Sequence, residues 1–450
     1  MLHGIGLTNF RAFKEQNFEF KKLNVFIGKN NSGKSSALSA LNVICQTILH
    51  DELDGTPLLL NGLYDKLGTY IDVVNGNHPR RKMGFDVSFD EYRLRIEYKY
   101  RTQRRQIELV LFDLRRASKQ IFKYEQRKDS FDLQLKGQTF ERIFKDVRKR
   151  RPTFRNFWPM LGPAIRSQVR GQSADEDYAL FREIDHELFR ARQRLYRHFQ
   201  NYDSVSPFRD KPQRTYLYSG ESASKIGITG SNMATMLAAD ASRRGAARKN
   251  LAANISEWFS YTGIAKSVSV ESISPRHFEL CLTSNDGTKH NLCDVGFGCS
   301  QVLPVLVGGL NLFHDAPRNS GRVFVVQEPE IHLHPNAQAA LGSFFVNLVS
   351  LGGQIFIETH SDNLVLRIAR HIALGHISAD DVAIFYVQDI GDDRVTEISI
   401  SDTGTFGSNW PEGFFPQRQT ESLLLARAGL EARKRDVSDQ LTFRYPEMSK

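Results

Sequence analysis

The run Gly28-Lys-Asn-Asn-Ser-Gly33-Lys34-Ser35 matches the pattern GxxxxGK[ST] in full and dictates much of what must surround it. An apolar stretch, Leu23-Asn-Val-Phe-Ile27, comes before it, and Ala37, Leu38, Leu41 and Ile44 follow at helical spacing. A buried strand, a glycine-rich turn and an amphipathic helix, in that order, are the frame a phosphate-binding loop needs. Gly28 and Gly33 free the backbone, so that N–H groups across Asn30, Asn31, Ser32, Gly33 and Ser36 would converge on a β-phosphate at the positive end of the helix. Lys34 would reach the β- and γ-phosphates, and Ser35 would hold Mg²⁺ through its hydroxyl. The alternative, a tight turn with a surface lysine, leaves the flanking strand and helix unexplained. ATP and Mg²⁺ are the expected cofactors.

The strand Val323-Phe-Val-Val-Gln327-Glu328 fits the second half of such a site. Its C-terminal end would aim polar groups at the metal and at the attacking water, with Glu328 placed to polarise that water. The preceding position normally carries an acid for the metal's hydration shell. Here it is Gln327, whose amide accepts a hydrogen bond but brings no charge; Glu330 is the expected compensation, and Ser35 and Gln327 are the expected metal-side residues. Glu358-Thr-His360-Ser-Asp362 ends another apolar strand, from which His360 would sense or stabilise the γ-phosphate. In Asp294-Val-Gly296-Phe-Gly298-Cys-Ser300-Gln301, a glycine-rich loop precedes an apolar helix and would grip a second phosphate face. Each of these segments alone reads equally well as packing; the phosphate loop tips the balance. Cys299 has no base beside it and reads as packing.

At 450 residues, 40% hydrophobic and 25% charged, the chain is globular and large enough for two or three domains. No apolar run approaches the ~20 residues of a membrane span. The opening MLHGIGLTNFRAFKE lacks a signal-peptide pattern, and Cys45, Cys281, Cys293 and Cys299 form no CxxC pair. A cytoplasmic protein with no membrane partner is expected. Residues 93–200 carry a net charge of +13 against a total of +9, which leaves the remainder at −4. That asymmetry points to a polyanion, with DNA contact through 93–200, or else to a solvated helical insertion.

The fold class is α/β. Residues 1–90 would be the first part of an ATP-binding body, and 91–205 a basic β meander with an inserted helical lobe. Residues 206–430 would complete the body, and 431–450 form a charged tail. Alternation over about 84–135 predicts the meander. Residues ~140–205 read as helical and projecting, and a further helix is expected near 231–260.

As a set, GKNNSGKSS, DVGFGCSQVLP, QEPEIHLHP, ETHSD and WPEGFF resemble the bacterial AAA15 (OLD-like) ATPases, within the ABC-type heads of the SMC/RecF/OLD group. The resemblance covers residues 1–90 and about 205–420. It implies an ABC-type P-loop ATPase head that sandwiches two ATP molecules between two copies, each phosphate loop facing its partner's signature loop at 295–301. It further implies that Glu328 is the catalytic carboxylate and His360 the switch histidine, and puts His334-Pro335 in a loop crossing the interface. Two departures stand out. Gln327 replaces an acid, and Gly296 stands where the ABC signature has serine, which would leave the γ-phosphate contact to Ser300 or to backbone. Slow hydrolysis, or a dimer locked by ATP, is the expected result.

After Asp362 no Glu-plus-DxD set of a TOPRIM nuclease appears, and Asp392-Asp393 reads as a hairpin turn. The motif set also resembles ATPase subunits of Septu-type and PARIS-type anti-phage systems, which implies a sensor or regulator of a separate effector nuclease. A RecF-like DNA-maintenance ATPase and an ATP-bound scaffold with little turnover are the alternatives.

Overall fold

The computed structural model describes residues 1–50, 57–127, 131–139, 153–160, 175–220, 223–315, 321–389 and 394–407. All of these belong to one compact unit, Met1–Gly407. The chain opens with β1 (Leu2–Phe10), β2 (Phe13–Glu19) and β3 (Leu23–Gly28), then the helix Lys34–Ile48. It continues through β4 (Met83–Phe89), β5 (Tyr92–Arg101), β6 (Gln106–Arg116), β7 (Lys119–Gln126), β8 (Phe131–Leu135) and β9 (Gln138–Thr139). Except for β3, these strands form one antiparallel sheet in the order β2-β1-β4-β5-β6-β7-β8-β9. A boundary at residue 90 would therefore cut through a sheet, because β4 pairs with β5 across it.

The expected helical lobe is corrected in two places. Residues 153–160 form a hairpin of β10 (Thr153–Arg155) and β11 (Trp158–Met160), turning at Asn156 and Phe157 with positive φ of 49° and 55°. Two successive left-handed residues are what a tight hairpin turn requires. The helix Asp175–Gln200 is present but does not project. Its stripe Ile184, Leu188, Ala191, Leu195 and Phe199 is buried in the same core as Leu38, Tyr202 and Val325. Burying the four large members contributes roughly 1.5–3 kcal/mol each, enough to hold the helix on the body. Arg148, Lys149, Arg150 and Arg151 lie outside the described residues, as do Asp392-Asp393, WPEGFF and the tail.

That helix runs directly into β12 (Asn201–Val205). A small antiparallel sheet follows, made of β13 (Tyr216–Leu217), β14 (Ser267–Ser274), β15 (His277–Thr283) and β16 (Lys289–Asn291). The single helix expected near 231–260 is two, Met233–Ser242 and Leu251–Thr262. Between them the Asp240 carboxylate accepts from the N–H groups of Lys249 and Leu251, so the break is built in. The helix Phe297–Asp315 then leads to β17 (Arg322–Gln327), and the helix Pro335–Ser350 to β18 (Gln354–Glu358). The helix Asp362–Ala373 leads to β19 (Val382–Val387) and β20 (Val395–Ile398).

The strands β12-β17-β18-β3-β19-β20 make the central sheet, parallel except for β20. Every residue of β3, β17, β18 and β19 is buried, as strands covered on both faces must be. Phe18 and Phe20 pack on Phe26, Phe356 and Phe385 and join the antiparallel sheet to this one. The helix 34–48 is buried almost all round within that joint core, which fixes its N-terminus at the C-terminal edge of β3. The mixed α/β, P-loop architecture expected of the sequence is what the chain adopts. Among the described residues no helix is long and apolar enough to cross a membrane.

Candidate functional site

The phosphate loop takes shape because two glycines occupy conformations closed to other residues. Gly28 has φ 143° and a Cβ there would meet Val387 O at 2.2 Å; Gly33 has φ 115° and would meet Ala12 at 2.8 Å. Gly33 starts the helix without a side-chain cap, and no acid occupies its first turn. The positive end of the helix is thus left open to an anion. Lys34 is buried, and its Nζ donates to Gly28 O (3.1 Å) and Lys29 O (2.7 Å), bracing the loop from inside. Burial pushes its pKa down, against the pull of Glu358, Glu328 and Glu330. Ser32 Oγ is buried without a hydrogen-bond partner. An uncapped helix start, an orphaned hydroxyl and an interior ammonium form a cradle that suits the phosphates of a nucleotide. Asn30 and Asn31 lie exposed on the outer turn, Asn31 in the left-handed region at φ 63°, and Ser36 N–H returns to Gly33 O.

Three carboxylates gather beside this loop. Ser35 Oγ donates to Glu358 Oε1 at 2.9 Å, and Glu358 pairs in register with Gln327 across β18 and β17. Burial pushes the Glu358 carboxyl up to about 7, although Ser35 and Lys34 pull it down. Glu330 is buried too, which raises its pKa, and its Oε1 accepts from His360 N–H at 2.6 Å. The acid expected to stand in for Gln327 therefore holds the His360 backbone instead. Glu328 leaves the strand with φ 46°, its N–H donating to Glu358 O at 2.7 Å. His360 Nε2 lies 3.8 Å from Glu328 Oε1. Burial, helped by Lys34, lowers the imidazole pKa to about 4, so His360 is neutral at pH 7 and the contact is polar rather than ionic.

Arg209 was not legible in the sequence and turns out to be central. It is buried, and donates to Ser206 O (Nε, 3.1 Å), Gln301 O (Nη1, 2.9 Å), Gln327 O (Nη2, 2.7 Å) and Glu328 O (Nη2, 3.1 Å). Burial lowers its pKa to about 10, opposed by Glu330 and Glu328, so it stays charged. One planar guanidinium thus ties the helix 297–315 to the turn that carries Glu328. Arg209→Met leaves four carbonyls without their donor. We expect roughly 3–5 kcal/mol loss of stability, read as a fall in the denaturation midpoint, with Arg209→Lys recovering only part.

The signature loop divides into an outer and an inner part. Gly296 faces open space and Phe297 is 60% exposed, beside the exposed His332. Gly298 packs so closely on the next loop that a Cβ would stand 2.5 Å from His332 O. Ser300 and Gln301, expected to contact phosphate, are both buried; Ser300 Oγ donates to Phe297 O at 2.9 Å, and Gln301 O serves Arg209. The surface offered outward is Gly296, Phe297 and backbone. His334 and Pro335 are exposed at the start of their helix. Asp294 pairs with Arg214, and burial raises the Cys299 thiol pKa, as packing would.

The AAA_15 family, described as an AAA ATPase domain, matches residues 1–365, and a family of unknown function, DUF3696, matches residues 377–423. No curated protein matches. Among solved structures, the chain is similar to the Pyrococcus furiosus Smc head domain with an extended coiled coil, bound to the C-terminal domain of ScpA. The identity is 10%, with 95% of this chain and 99% of that one covered at a TM-score of 0.40. It is also similar to the SMC head domain from Thermotoga maritima, at 10% identity, 89% and 99% coverage and a TM-score of 0.36. Since the match spans most of the sequence, phosphate loop, Glu328 turn and His360 included, the chain belongs to the AAA_15 family of ATPase domains.

Proposed function

We propose that this ATPase works as a head-to-head dimer, turns over slowly, and regulates a separate effector, in the manner of the anti-phage ATPase subunits its motifs resemble. The observation that carries the ATPase part is the convergence of Lys34, Ser35, Glu328 and His360 at one strand edge. Lys34 and the backbone of 28–36 would hold the phosphates, with Ser35 on Mg²⁺, which neutralises charge on the phosphate oxygens when bound. Glu328 accepts a proton from, and orients, the attacking water. His360, neutral and fixed by Glu330, donates or accepts at its Nε2 without adding charge. Glu328 and His360 are each about one-third exposed, open to a partner surface. Exposed Gly296, Phe297, His332 and His334 supply a surface of the kind a second copy would cover.

The regulatory part rests on the motif resemblance and is tested by mass. The purified chain, alone and with the product of its neighbouring gene, is weighed with and without ATP. A stable complex with the neighbour supports the regulator reading, and a chain that ignores its neighbour refutes it.

A second reading, DNA contact, is favoured by the net charge of residues 93–200. Much of the described positive charge there is paired locally, Arg93 with Asp86, Arg95 with Glu97, Arg101 with Glu108 and Arg115 with Asp113. The run Arg148 to Arg151 is the better target. Reversing those four charges should weaken DNA binding and flatten its salt dependence while leaving basal hydrolysis intact.

A further inference from the structure

We infer that Glu358 is the carboxylate ligand on the metal side of the nucleotide site, filling the role that the amide of Gln327 leaves open. The inference rests on the nucleotide-binding reading above and extends it to a particular ligand. The topology places Glu358 where such a ligand belongs. β18 lies between β17, which ends at Gln327, and β3, which launches the phosphate loop. In the register of these parallel strands Glu358 stands opposite Gln327 on one side and Phe26 on the other. Ser35, whose hydroxyl is expected on the metal, donates to Glu358 Oε1 at 2.9 Å. In P-loop enzymes the loop serine and an acid from a neighbouring strand share that sphere. Here the acid that touches the serine comes from the strand beside the usual one.

The second carboxylate oxygen points the same way. Glu358 Oε2 has no hydrogen-bond partner, although its side chain is only 5% exposed. A buried carboxylate oxygen without a partner is costly until a cation or a donor meets it. Lys34 does not meet that need: its Nζ stands 4.0 Å from Oε1 and donates to Gly28 O and Lys29 O. Glu330 Oε2 is also buried without a partner, but it is Glu358 that accepts the Ser35 hydroxyl, and the neighbouring acids face His360. Glu330 Oε1 receives the His360 N–H, and Glu328 turns toward the imidazole of His360. Mg²⁺ takes one or two carboxylates together with substrate phosphates and water, so one acid beside Ser35 suffices. Among the described residues no group of three or more His, Cys, Asp or Glu is arranged to hold a metal unaided, consistent with a site completed by nucleotide.

The test measures metal affinity separately from turnover. Mn²⁺ is titrated by electron paramagnetic resonance into the full chain saturated with the non-hydrolysable analogue AMP-PNP. AMP-PNP affinity in EDTA is measured in parallel and also reports that each variant is folded. Glu358→Gln should weaken Mn²⁺ binding by at least about tenfold and leave AMP-PNP affinity in EDTA within about threefold. Adding Gln327→Glu to that variant should restore most of the Mn²⁺ affinity, by returning an acid to the adjacent strand. Unchanged Mn²⁺ affinity in Glu358→Gln overturns the inference. So does an equal loss of AMP-PNP affinity in EDTA, which would mean that Glu358 acts on the loop through Ser35 instead. A wild-type chain that binds no AMP-PNP under either condition would sink the nucleotide reading itself, and this one with it.

Discussion

Lys34→Ala should lose ATP affinity by roughly 10²–10⁴-fold in a calorimetric titration. Two charge-assisted hydrogen bonds to phosphate are worth about 3–6 kcal/mol, which converts to that range. The ammonium also donates to Gly28 O and Lys29 O and so braces the loop. Alanine removes both the brace and the charge. The helix itself should survive, since Leu38, Leu41 and Ile44 stay buried and alanine is a good helix former. Affinity within threefold of wild type, in a variant with unchanged circular dichroism, would contradict the phosphate-loop assignment.

Glu328→Gln should leave ATP binding intact and lower kcat by roughly 10²–10⁴-fold, the usual worth of a positioned general base. The substitution keeps shape. The left-handed backbone at Glu328 is held by Glu358 O on its N–H and by Arg209 on its carbonyl, neither of which involves the side chain. Chemistry should therefore be lost without loss of architecture, and the ATP-bound species should accumulate as a dimer in light scattering with ATP. Wild-type hydrolysis in this variant would transfer the carboxylate role to Glu330, whose second oxygen, Oε2, is buried and unpartnered.

What could be read from the sequence was whatever the chain writes contiguously. Strand, glycine turn and helix around Lys34 are local, and the all-apolar runs of β17, β18 and β19 declare strands buried on both faces. The two residues that organise the site were silent because their partners are remote. Arg209 meets Gln301 and Gln327 across 92 and 118 positions, and Ser35 meets Glu358 across 323. A lone arginine in SVSPFRDKPQ carries no pattern that reveals the four carbonyls it donates to. The one available hint was a glutamate ending the apolar run QIFIE, an expensive place for a charge. The stretch 153–160 misled for another reason. The basic run before it suggests a helix, but Thr153, Phe154 and Trp158 favour strands, and Asn156-Phe157 turns the chain by conformation. Helix 175–200 announced its period and hid its destination, because charge on one face says nothing of what the other face covers.

The site draws on residues 28–36, 209, 327–330 and 358–360, and so exists only when the whole parallel sheet is assembled. An unfolded chain has nothing with which to hold ATP. Binding must then stabilise the native state by mass action, by about 2.7 kcal/mol when free ATP is a hundred times its dissociation constant. A collapse of the ATP pool withdraws that increment. Resistance of the chain to proteolysis should therefore rise with free ATP, independent of any turnover.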